Sequence, residues 1–287
     1  MKIAVIGADG QLGSDLVRAL ARDEVCPLFY PDFDVTRPQR MRSVLQDLRP
    51  SAVINTAAFH RVDECEDDPE SSFRVNAIAV RDLARLAGEL GFILVHFSTD
   101  YVFDGRKRAP YVESDPPNPL NVYAVSKLAG EFFVRSLAER HFLIRTCGLF
   151  GESSSKELGS NFVDRIIALA EEGKPLRVVD DQWVTPTLTA ELAERTGDLI
   201  RTGEYGLYHL TSEGECTWFQ FAREVFSLLG RKPRLEPVDS KSFAAKARRP
   251  LYSVLENKRA REIGLRDFSS WKDALKAYLE KKGLMAR

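Results

Sequence analysis

Short apolar runs and amphipathic stretches alternate along the first half of the chain. The runs KIAVI, CPLFY, SAVINTAA, FILVHFSTDYVF and HFLIRTCGLFG are largely apolar, which is typical of strands covered on both faces. Between the first four of them, QLGSDLVRALARD, RPQRMRSVLQDLRP and PESSFRVNAIAVRDLARLAGELG repeat apolar residues at helical spacing. The last of these stretches ends at Gly91, a natural helix C-cap. This alternation predicts an α/β fold with a doubly wound parallel sheet.

The second half of the chain is less regular. PLRVVDD and GLYHLTSE are predicted strands, and TLTAELAERTGDLIR, TWFQFAREVFSLLG and WKDALKAYLEKK are predicted helices. We therefore expect residues 1–150 to form the sheet domain, with elements near 174–201 contributing to it. Residues 151–287 are expected to form mainly a smaller C-terminal α/β lobe.

A glycine-rich turn lies between the first predicted strand and the first predicted helix. GADGQLG places Gly7, Gly10 and Gly13 at the spacing G-x-x-G-x-x-G. Glycines permit a tight turn and a close approach of a pyrophosphate, and the helix N-terminus offers free N–H groups. The pattern predicts a dinucleotide-binding Rossmann domain. Asp32 and Asp34 are candidates for the acidic ribose partner, and no arginine stands there for a 2′-phosphate, so the choice between NAD and NADP stays open.

Two Tyr-x-x-x-Lys pairs occur, Tyr123/Lys127 and Tyr278/Lys282. The first follows the predicted strand that ends in STDY, and the carboxyl ends of such strands face the cofactor crevice. Tyr123 is predicted to donate a proton to a carbonyl group, with Lys127 lowering the pKa of Tyr123 and Thr99 donating to the carbonyl oxygen. The alternative is a surface tyrosine with a lysine stem resting on its ring. The second pair has no chemical groups near it in sequence and is predicted to be structural.

Composition excludes several classes of protein. Lys and Arg number 41 against 42 Asp and Glu, so no nucleic-acid or anionic-membrane partner is expected. No apolar run approaches the length of a membrane span, and the N-terminus has no signal-peptide layout. The four cysteines form no CxxC pair and no metal-like spacing with histidine. A cytoplasmic protein with reduced thiols is therefore expected.

The motifs together resemble a known family. GADGQLG, VINTAAFHRVDECE, STDYVFDG, PLNVYAVSKLAGE and DDQWVTPT are similar to the dTDP-4-dehydrorhamnose reductases, which are extended short-chain dehydrogenases/reductases. The resemblance covers nearly the whole chain. It implies reduction, with NADPH or NADH, of the 4-keto group of a nucleotide-sugar substrate, dTDP-4-dehydro-6-deoxy-L-mannose, to dTDP-L-rhamnose. A homodimer is compatible with it.

The resemblance also implies roles for individual residues. The catalytic set is Thr99, Tyr123 and Lys127. The cofactor-binding set is Gly7, Gly10, Gln11, Leu12, Gly13, Asp34, Val35, Ala57, Ala58, Asn76, Tyr123 and Lys127. Lys127 also holds the nicotinamide ribose, and Asn76 supports this lysine through water. Asp100 and Tyr101 face the sugar, where Trp183 is a candidate aromatic contact.

The chain departs from the family pattern at several positions. Gly148 stands where the family has a tryptophan that packs on the sugar, and Val184 replaces a glycine. Asp15 and Ala190 replace glutamates that bind Mg²⁺ in some members, so no metal is expected. Tyr101 stands where related dehydratases carry the glutamate that expels water, which favours simple reduction over dehydration.

These departures leave two alternatives beside the dTDP-L-rhamnose assignment. One is a reductase of a different nucleotide-linked 4-keto sugar, because Gly148 leaves room where the tryptophan was. The other is a non-catalytic NADP-binding regulatory subunit that resembles the β subunit of methionine adenosyltransferase. The complete set of Thr99, Tyr123 and Lys127 argues against the second alternative, since a binding subunit needs none of them.

Overall fold

The computed structural model describes residues 1–153, 161–243 and 245–285. Its strands are β1 (Lys2–Ile6), β2 (Glu24–Leu28), β3 (Ala52–Asn55), β4 (Ile93–Thr99), β5 (His141–Thr146), β6 (Leu149–Phe150), β7 (Leu176–Val179), β8 (Trp183–Val184), β9 (Thr187–Leu188), β10 (Gly206–His209), β11 (Cys216–Thr217) and β12 (Leu235–Val238). Its helices are α1 (Gln11–Ala19), α2 (Pro38–Leu48), α3 (Val62–Asp67), α4 (Pro69–Phe73), α5 (Ala79–Leu90), α6 (Val122–Leu137), α7 (Phe162–Glu171), α8 (Thr189–Leu199), α9 (Trp218–Leu228), α10 (Lys258–Glu262) and α11 (Trp271–Lys281). A π-helical turn, Arg74–Ile78, joins α4 to α5, and Asp100–Val102 and Ser240–Ser242 form short 3-10 turns.

The central sheet has six strands in the order β2-β1-β3-β4-β5-β10, and every neighbouring pair is parallel. The predicted doubly wound α/β sheet is therefore confirmed. The chain passes from β1 to β2 on one side and returns to β3 on the other, so the strand order reverses between β1 and β3. A crevice opens at the carboxyl ends of the strands where such a reversal occurs. The edge strand β10 comes from beyond the range 174–201 that was expected to contribute.

The two faces of the sheet carry separate hydrophobic cores. Ile3 and Val5 of β1 pack with α1 and α8 on one face, whereas Ala4 and Ile6 pack with α2 and α5 on the other. Successive side chains of a strand point to opposite faces, which explains the continuous apolar run of β1. Helix α8 thus belongs to the sheet domain although it lies in the second half of the chain.

A second lobe is built on its own core, formed by side chains of α7, α9, α11 and β7. The short strand β12 pairs in parallel with β7 beside it. Tyr278 of α11 is buried in this lobe, and its hydroxyl and the Lys282 ammonium both donate to Asp164. The second Tyr-x-x-x-Lys pair is therefore part of a structural network. None of the helices in the described part of the chain is long and apolar enough to cross a membrane.

Candidate active site

One cavity of about 980 Å³ lies at the carboxyl ends of β1, β3, β4 and β5. Its volume is at the upper end of the range for small-molecule sites. The predicted site residues that line it are Gly7, Gly10, Gln11, Leu12, Asp34, Val35, Ala57, Ala58, Thr99, Asp100, Tyr101, Tyr123 and Lys127. The fold thus gathers residues from four separate turns into one site. Gly13, Asn76 and Trp183 lie outside the cavity wall.

The glycine loop forms one end of the cavity. Gly7 has a φ of +75°, and a Cβ there would lie 2.7 Å from Thr56 Oγ1, so only glycine fits. Helix α1 begins after Gly10 without a side-chain cap, which leaves its first N–H groups available to an anion. Gly13 has a different role from the predicted one: a Cβ there would lie 2.0 Å from the Gly7 carbonyl oxygen. Gly13 lets the helix pack against the loop and does not reach the cavity.

Two buried polar atoms in the cavity wall point to a polar ligand. Gln11 Nε2 and Thr146 Oγ1 have no hydrogen-bond partner among residues 1–153, 161–243 and 245–285. Buried polar atoms are nearly always paired, so a ligand is expected to complete them. Gln11 stands at the glycine loop and Thr146 at the end of β5. A dinucleotide carries phosphate and carboxamide groups that can pair with such atoms.

Asp34 lines the cavity near the loop that follows β2. Its Oδ1 accepts hydrogen bonds from the Thr36 N–H and hydroxyl at 2.9 and 2.7 Å. Arg37 Nε lies 3.4 Å from Asp34 Oδ2, and the Arg37 side chain is 76% exposed. Arg37 does not line the cavity, so the expectation that no arginine stands there for a 2′-phosphate stays a prediction. The Asp34 carboxylate beside the Arg37 guanidinium does not decide between NADH and NADPH as cofactor.

The predicted catalytic residues meet at the centre of the cavity. Thr99 ends β4, and Tyr123 and Lys127 lie one turn apart near the start of α6, whose first turn is capped by Asn121. Burial raises the pKa of the Tyr123 hydroxyl, and hydrogen bonding with the Thr99 side chain acts in the opposite direction. Tyr123 therefore holds its proton at neutral pH.

Lys127 differs from the expectation that it lowers the pKa of Tyr123. Its Nζ turns beneath the site and donates to the Phe97 carbonyl at 2.6 Å. Burial lowers the pKa of Lys127 to about 8, with the charge of Glu131 acting against this. A buried ammonium takes the nearest strong acceptor, which here is a backbone carbonyl rather than the tyrosine hydroxyl.

Asp100 and Tyr101, which are predicted to face the sugar, follow Thr99 and line the cavity. The Asp100 carboxylate accepts hydrogen bonds from Thr99 Oγ1 at 3.0 Å and Cys147 Sγ at 3.1 Å. Burial raises the pKa of Asp100 to about 6. The Tyr101 ring meets the Tyr123 ring edge-on, with centroids 6.3 Å apart. This side of the cavity thus combines an aromatic wall with a carboxyl group that titrates near neutral pH.

The side chain of Asn76 bonds to the Phe59 backbone and to Ser126, and its predicted support of Lys127 through water stays a prediction. Its Oδ1 accepts from the Phe59 N–H at 2.9 Å, and its Nδ2 donates to the Phe59 carbonyl at 2.9 Å and to Ser126 Oγ at 3.0 Å. Asn76 is fully buried in the π-helical turn, where the sequence pattern predicts an uninterrupted helix. Such turns are frequent at functional sites. Here the turn ties the loop after β3 to α6.

A buried ion pair lies beneath the site and was not predicted from sequence. Arg145 donates to both carboxylate oxygens of Glu131 at 2.9 and 2.6 Å, and Ser98 Oγ donates to the same carboxylate at 2.5 Å. This network fastens α6 to β4 and β5. A glutamate on a helix and an arginine on a strand carry no local pattern that reveals such a pairing.

Trp183, the candidate aromatic contact, lies outside the cavity. Trp183 packs beside Val254 and Tyr252, away from the cavity, whereas Trp218 lines it. Gly148 has a φ of +54°, and a Cβ there would lie 3.5 Å from Trp218 Cη2. Trp218 begins α9 after a Thr217 capping box. That box predicts the helix start from sequence but not the direction of the indole.

The carboxylates at the positions linked to metal binding are engaged with protein groups. Asp15 accepts from the Thr189 hydroxyl and from Arg18, and Glu191 accepts from the Ser269 N–H at 2.8 Å and its hydroxyl at 2.6 Å. Across the described ranges, no group of three or more His, Cys, Asp or Glu side chains is arranged to hold a metal ion.

Comparison with known proteins places the chain in a family. The family model described as the RmlD substrate binding domain matches residues 1–283. A Streptomyces niveus protein named dTDP-4-keto-6-deoxy-D-glucose reductase is 39% identical, with 94% of each chain covered. The dTDP-4-dehydrorhamnose reductase of Burkholderia thailandensis is 35% identical, covering 96% of this chain and 97% of its own. The crystal structure of dTDP-4-dehydrorhamnose reductase from Bacillus anthracis in complex with NADP matches with a TM-score of 0.93 at 35% identity, over 98% of this chain and 99% of that one. The chain belongs to the RmlD substrate binding domain family, together with the dTDP-4-dehydrorhamnose reductases that its motifs resemble.

Proposed function

We propose that this protein is an NAD(P)H-dependent oxidoreductase that reduces the 4-keto group of a nucleotide-linked 6-deoxyhexose. The observation that carries the proposal is the convergence of Thr99, Tyr123 and Lys127 with the glycine loop in one cavity. The names of the relatives support it, because each describes a reductase of a dTDP-linked sugar. The NADP complex of the Bacillus anthracis relative supports the cofactor class.

The cofactor is assigned to the wall that runs from the glycine loop to Lys127. Gly7, Gly10, Gln11 and Leu12 hold the pyrophosphate against the start of α1. Asp34 and Val35 flank the adenosine, and Ala57 and Ala58 line the middle of the path. When bound, the reduced nicotinamide supplies the hydride that is added to the keto carbon.

The protein supplies the proton and orients the keto group. Tyr123 donates its hydroxyl proton to the keto oxygen, and the raised pKa keeps this donor protonated over the neutral range. Thr99 Oγ1 turns its hydrogen bond from Asp100 Oδ1 to the same oxygen when the substrate binds, which favours the developing negative charge. Lys127 holds the nicotinamide ribose from below. Tyr101 stands where a dehydratase needs an acid, so the reaction stops at the alcohol.

For the sugar, we propose dTDP-4-dehydro-6-deoxy-L-mannose as substrate and dTDP-L-rhamnose as product. A second candidate is another nucleotide-linked 4-keto hexose. Two observations favour considering it: Gly148 carries no side chain at the cavity wall, and the Streptomyces niveus relative is named for a different hexose. Asp100, Tyr101 and Trp218 are assigned to the sugar nucleotide in either case.

The test is a substrate panel with purified protein. dTDP-linked 4-keto-6-deoxyhexoses of the L-lyxo and D-xylo configurations are each offered with NADPH and with NADH, and consumption of the reduced nicotinamide is followed by absorbance. Turnover of the L-lyxo compound is expected. A chain that turns over no compound with either cofactor is not a reductase of this class, and the regulatory-subunit alternative would then be the better account.

Tyr123→Phe tests the proton donor in the same assay. Loss of a general acid is expected to lower kcat/KM by about 100-fold or more. Tyr278→Phe is the matched control, because Tyr278 has the same Tyr-x-x-x-Lys spacing but lies in the core of the second lobe. Full activity of Tyr123→Phe would remove Tyr123 from the mechanism.

A further inference from the structure

A fully buried histidine, His96, lies directly beneath Lys127. It belongs to β4, and its Nε2 lies 3.5 Å from Lys127 Nζ. Its other ring nitrogen, Nδ1, lies 3.2 Å from Asn55 Nδ2 at the end of β3. His96 does not line the cavity. Its hydrogen-bonding link to the proposed catalytic set is through Lys127.

The hydrogen bonds around Asn55 fix which ring nitrogen of His96 carries the proton. The Ala57 N–H donates to Asn55 Oδ1 at 3.1 Å, so the Asn55 amide group turns its Nδ2 toward His96. An amide nitrogen only donates, and His96 Nδ1 must therefore accept. Burial and the nearby Lys127 charge lower the pKa of His96 well below its usual range, so the ring is neutral. Its single proton is then on Nε2, facing Lys127.

An N–H group that faces Lys127 Nζ discriminates between the two forms of the lysine. A neutral amine has a lone pair and accepts from His96 Nε2–H, whereas an ammonium has only donors. The Phe97 carbonyl, 2.6 Å from Nζ, takes one lysine hydrogen in either form. Glu131 on α6 favours the ammonium, but Arg145 on β5 shares the charge of that carboxylate. Tyr123, one turn before Lys127 on α6, is the remaining titratable neighbour in the catalytic set.

We propose that His96 is a positioning residue that directs its Nε2–H at Lys127 Nζ and so favours the neutral amine of Lys127 over the ammonium. The proposal rests on the proposed function, in which Lys127, as an ammonium, holds the nicotinamide ribose, so that loss of its proton lowers activity. The pKa of Lys127 is lowered and that of Tyr123 is raised, so Lys127 loses its proton first and the alkaline limb of the kcat/KM profile reports that loss. With His96 present, the alkaline limb is expected at a lower pH than the burial of Lys127 and the charge of Glu131 alone would give.

The first test compares the pH profiles of His96→Leu and His96→Gln with that of the wild-type protein. Leucine removes the N–H, so the ammonium becomes less unfavourable and the alkaline limb should move up by about 0.5 to 1 pH unit. Glutamine can accept from Asn55 and donate to Lys127, so its limb should stay with the wild type. A leucine variant whose limb does not move, or moves down, overturns the proposal. Equal upward shifts in both variants also overturn it, because the direction of the hydrogen bond would then not matter.

The second test reads the tautomer in the unmodified protein and depends on neither turnover nor the folding of a variant. ¹⁵N-histidine NMR spectra are recorded across acid and neutral pH, and the His96 signals are assigned by their absence in His96→Gln. One ring with a protonated Nε2 and an unprotonated Nδ1, unchanged on acidification, is expected. A protonated Nδ1, or titration near the ordinary histidine pKa, refutes the assignment. If the protein turns over no keto sugar, the proposed function fails while this spectrum still decides the state of His96.

Discussion

Removing the Glu131 carboxylate should destabilise the protein strongly. The side chains of Glu131 and Arg145 are only 1% and 2% exposed, and Ser98 completes the carboxylate's hydrogen bonds. In Glu131→Ala, the guanidinium stays buried without its counter-charge. Breaking a buried ion pair in this way costs about 3–5 kcal/mol, a large share of the 5–15 kcal/mol by which domains are typically stable.

Most of that loss of stability should come from the unpaired charge of Arg145 and not from lost packing alone. Arg145 also stacks on Phe103, with its guanidinium carbon 5.1 Å from the ring centroid, so an apolar side chain at 145 has a surface to pack against. The double variant Glu131→Leu/Arg145→Met removes both charges and should lose less stability than Glu131→Ala. If the double variant is less stable than Glu131→Ala, the loss of stability comes from packing and not from the unpaired charge.

Urea unfolding followed by circular dichroism measures these differences as changes in midpoint at constant slope. Glu280→Ala is the control, because Glu280 pairs with Lys276 at 3.9 Å on the surface and each side chain is more than half exposed. That pair should contribute about 0–1 kcal/mol. If Glu131→Ala loses no more stability than Glu280→Ala, the reasoning about the buried pair is refuted.

Two further substitutions probe the cavity wall and the packing of α6. Trp218→Ala should raise the KM for the sugar nucleotide by about tenfold, the loss of one aromatic contact, and leave the KM for NADPH unchanged. Trp183→Ala, outside the cavity, should change neither, and equal effects of the two would contradict the assignment of Trp218. Gly130→Ala should lose about 1–3 kcal/mol in urea unfolding, because a Cβ there would lie 2.4 Å from the Asn76 carbonyl oxygen. Gly88→Ala, whose nearest contact would be 3.3 Å, should lose less, and the reverse order would refute the close approach.

Local sequence signals predicted the parts of the fold and site that depend on neighbours in the chain. The alternation of apolar runs and helical patterns placed β1, β3, β4 and β5, and Gly91 ends α5 with a φ of +76° as expected of a C-cap. The glycine loop and the Thr99 strand end were found because a doubly wound sheet brings such turns to one edge. Topology alone therefore gathers these residues.

The contacts that the sequence does not reveal join distant segments of the chain. Trp183 and Trp218 both follow turn or strand ends, and only the packing of the second lobe decides that Trp218 faces the cavity. The sequence around Asn76 does not predict its hydrogen bonds to the Phe59 backbone, because they require the π-helical turn. Side-chain direction in a non-local contact is not encoded in sequence spacing, so only the folded structure determines these contacts.

The two Tyr-x-x-x-Lys pairs show what separates a chemical site from a structural one. In the second pair, the Tyr278 hydroxyl and Lys282 Nζ both donate to Asp164 Oδ1, at 2.8 and 2.6 Å. The Tyr278 hydroxyl is therefore already engaged as a hydrogen-bond donor to the Asp164 carboxylate. Within the described residues, no carboxylate accepts a hydrogen bond from Tyr123 or Lys127, and Lys127 donates to a neutral carbonyl instead. At the same helical spacing, the Tyr123 proton is therefore available to a substrate because no carboxylate of the described residues accepts a hydrogen bond from it.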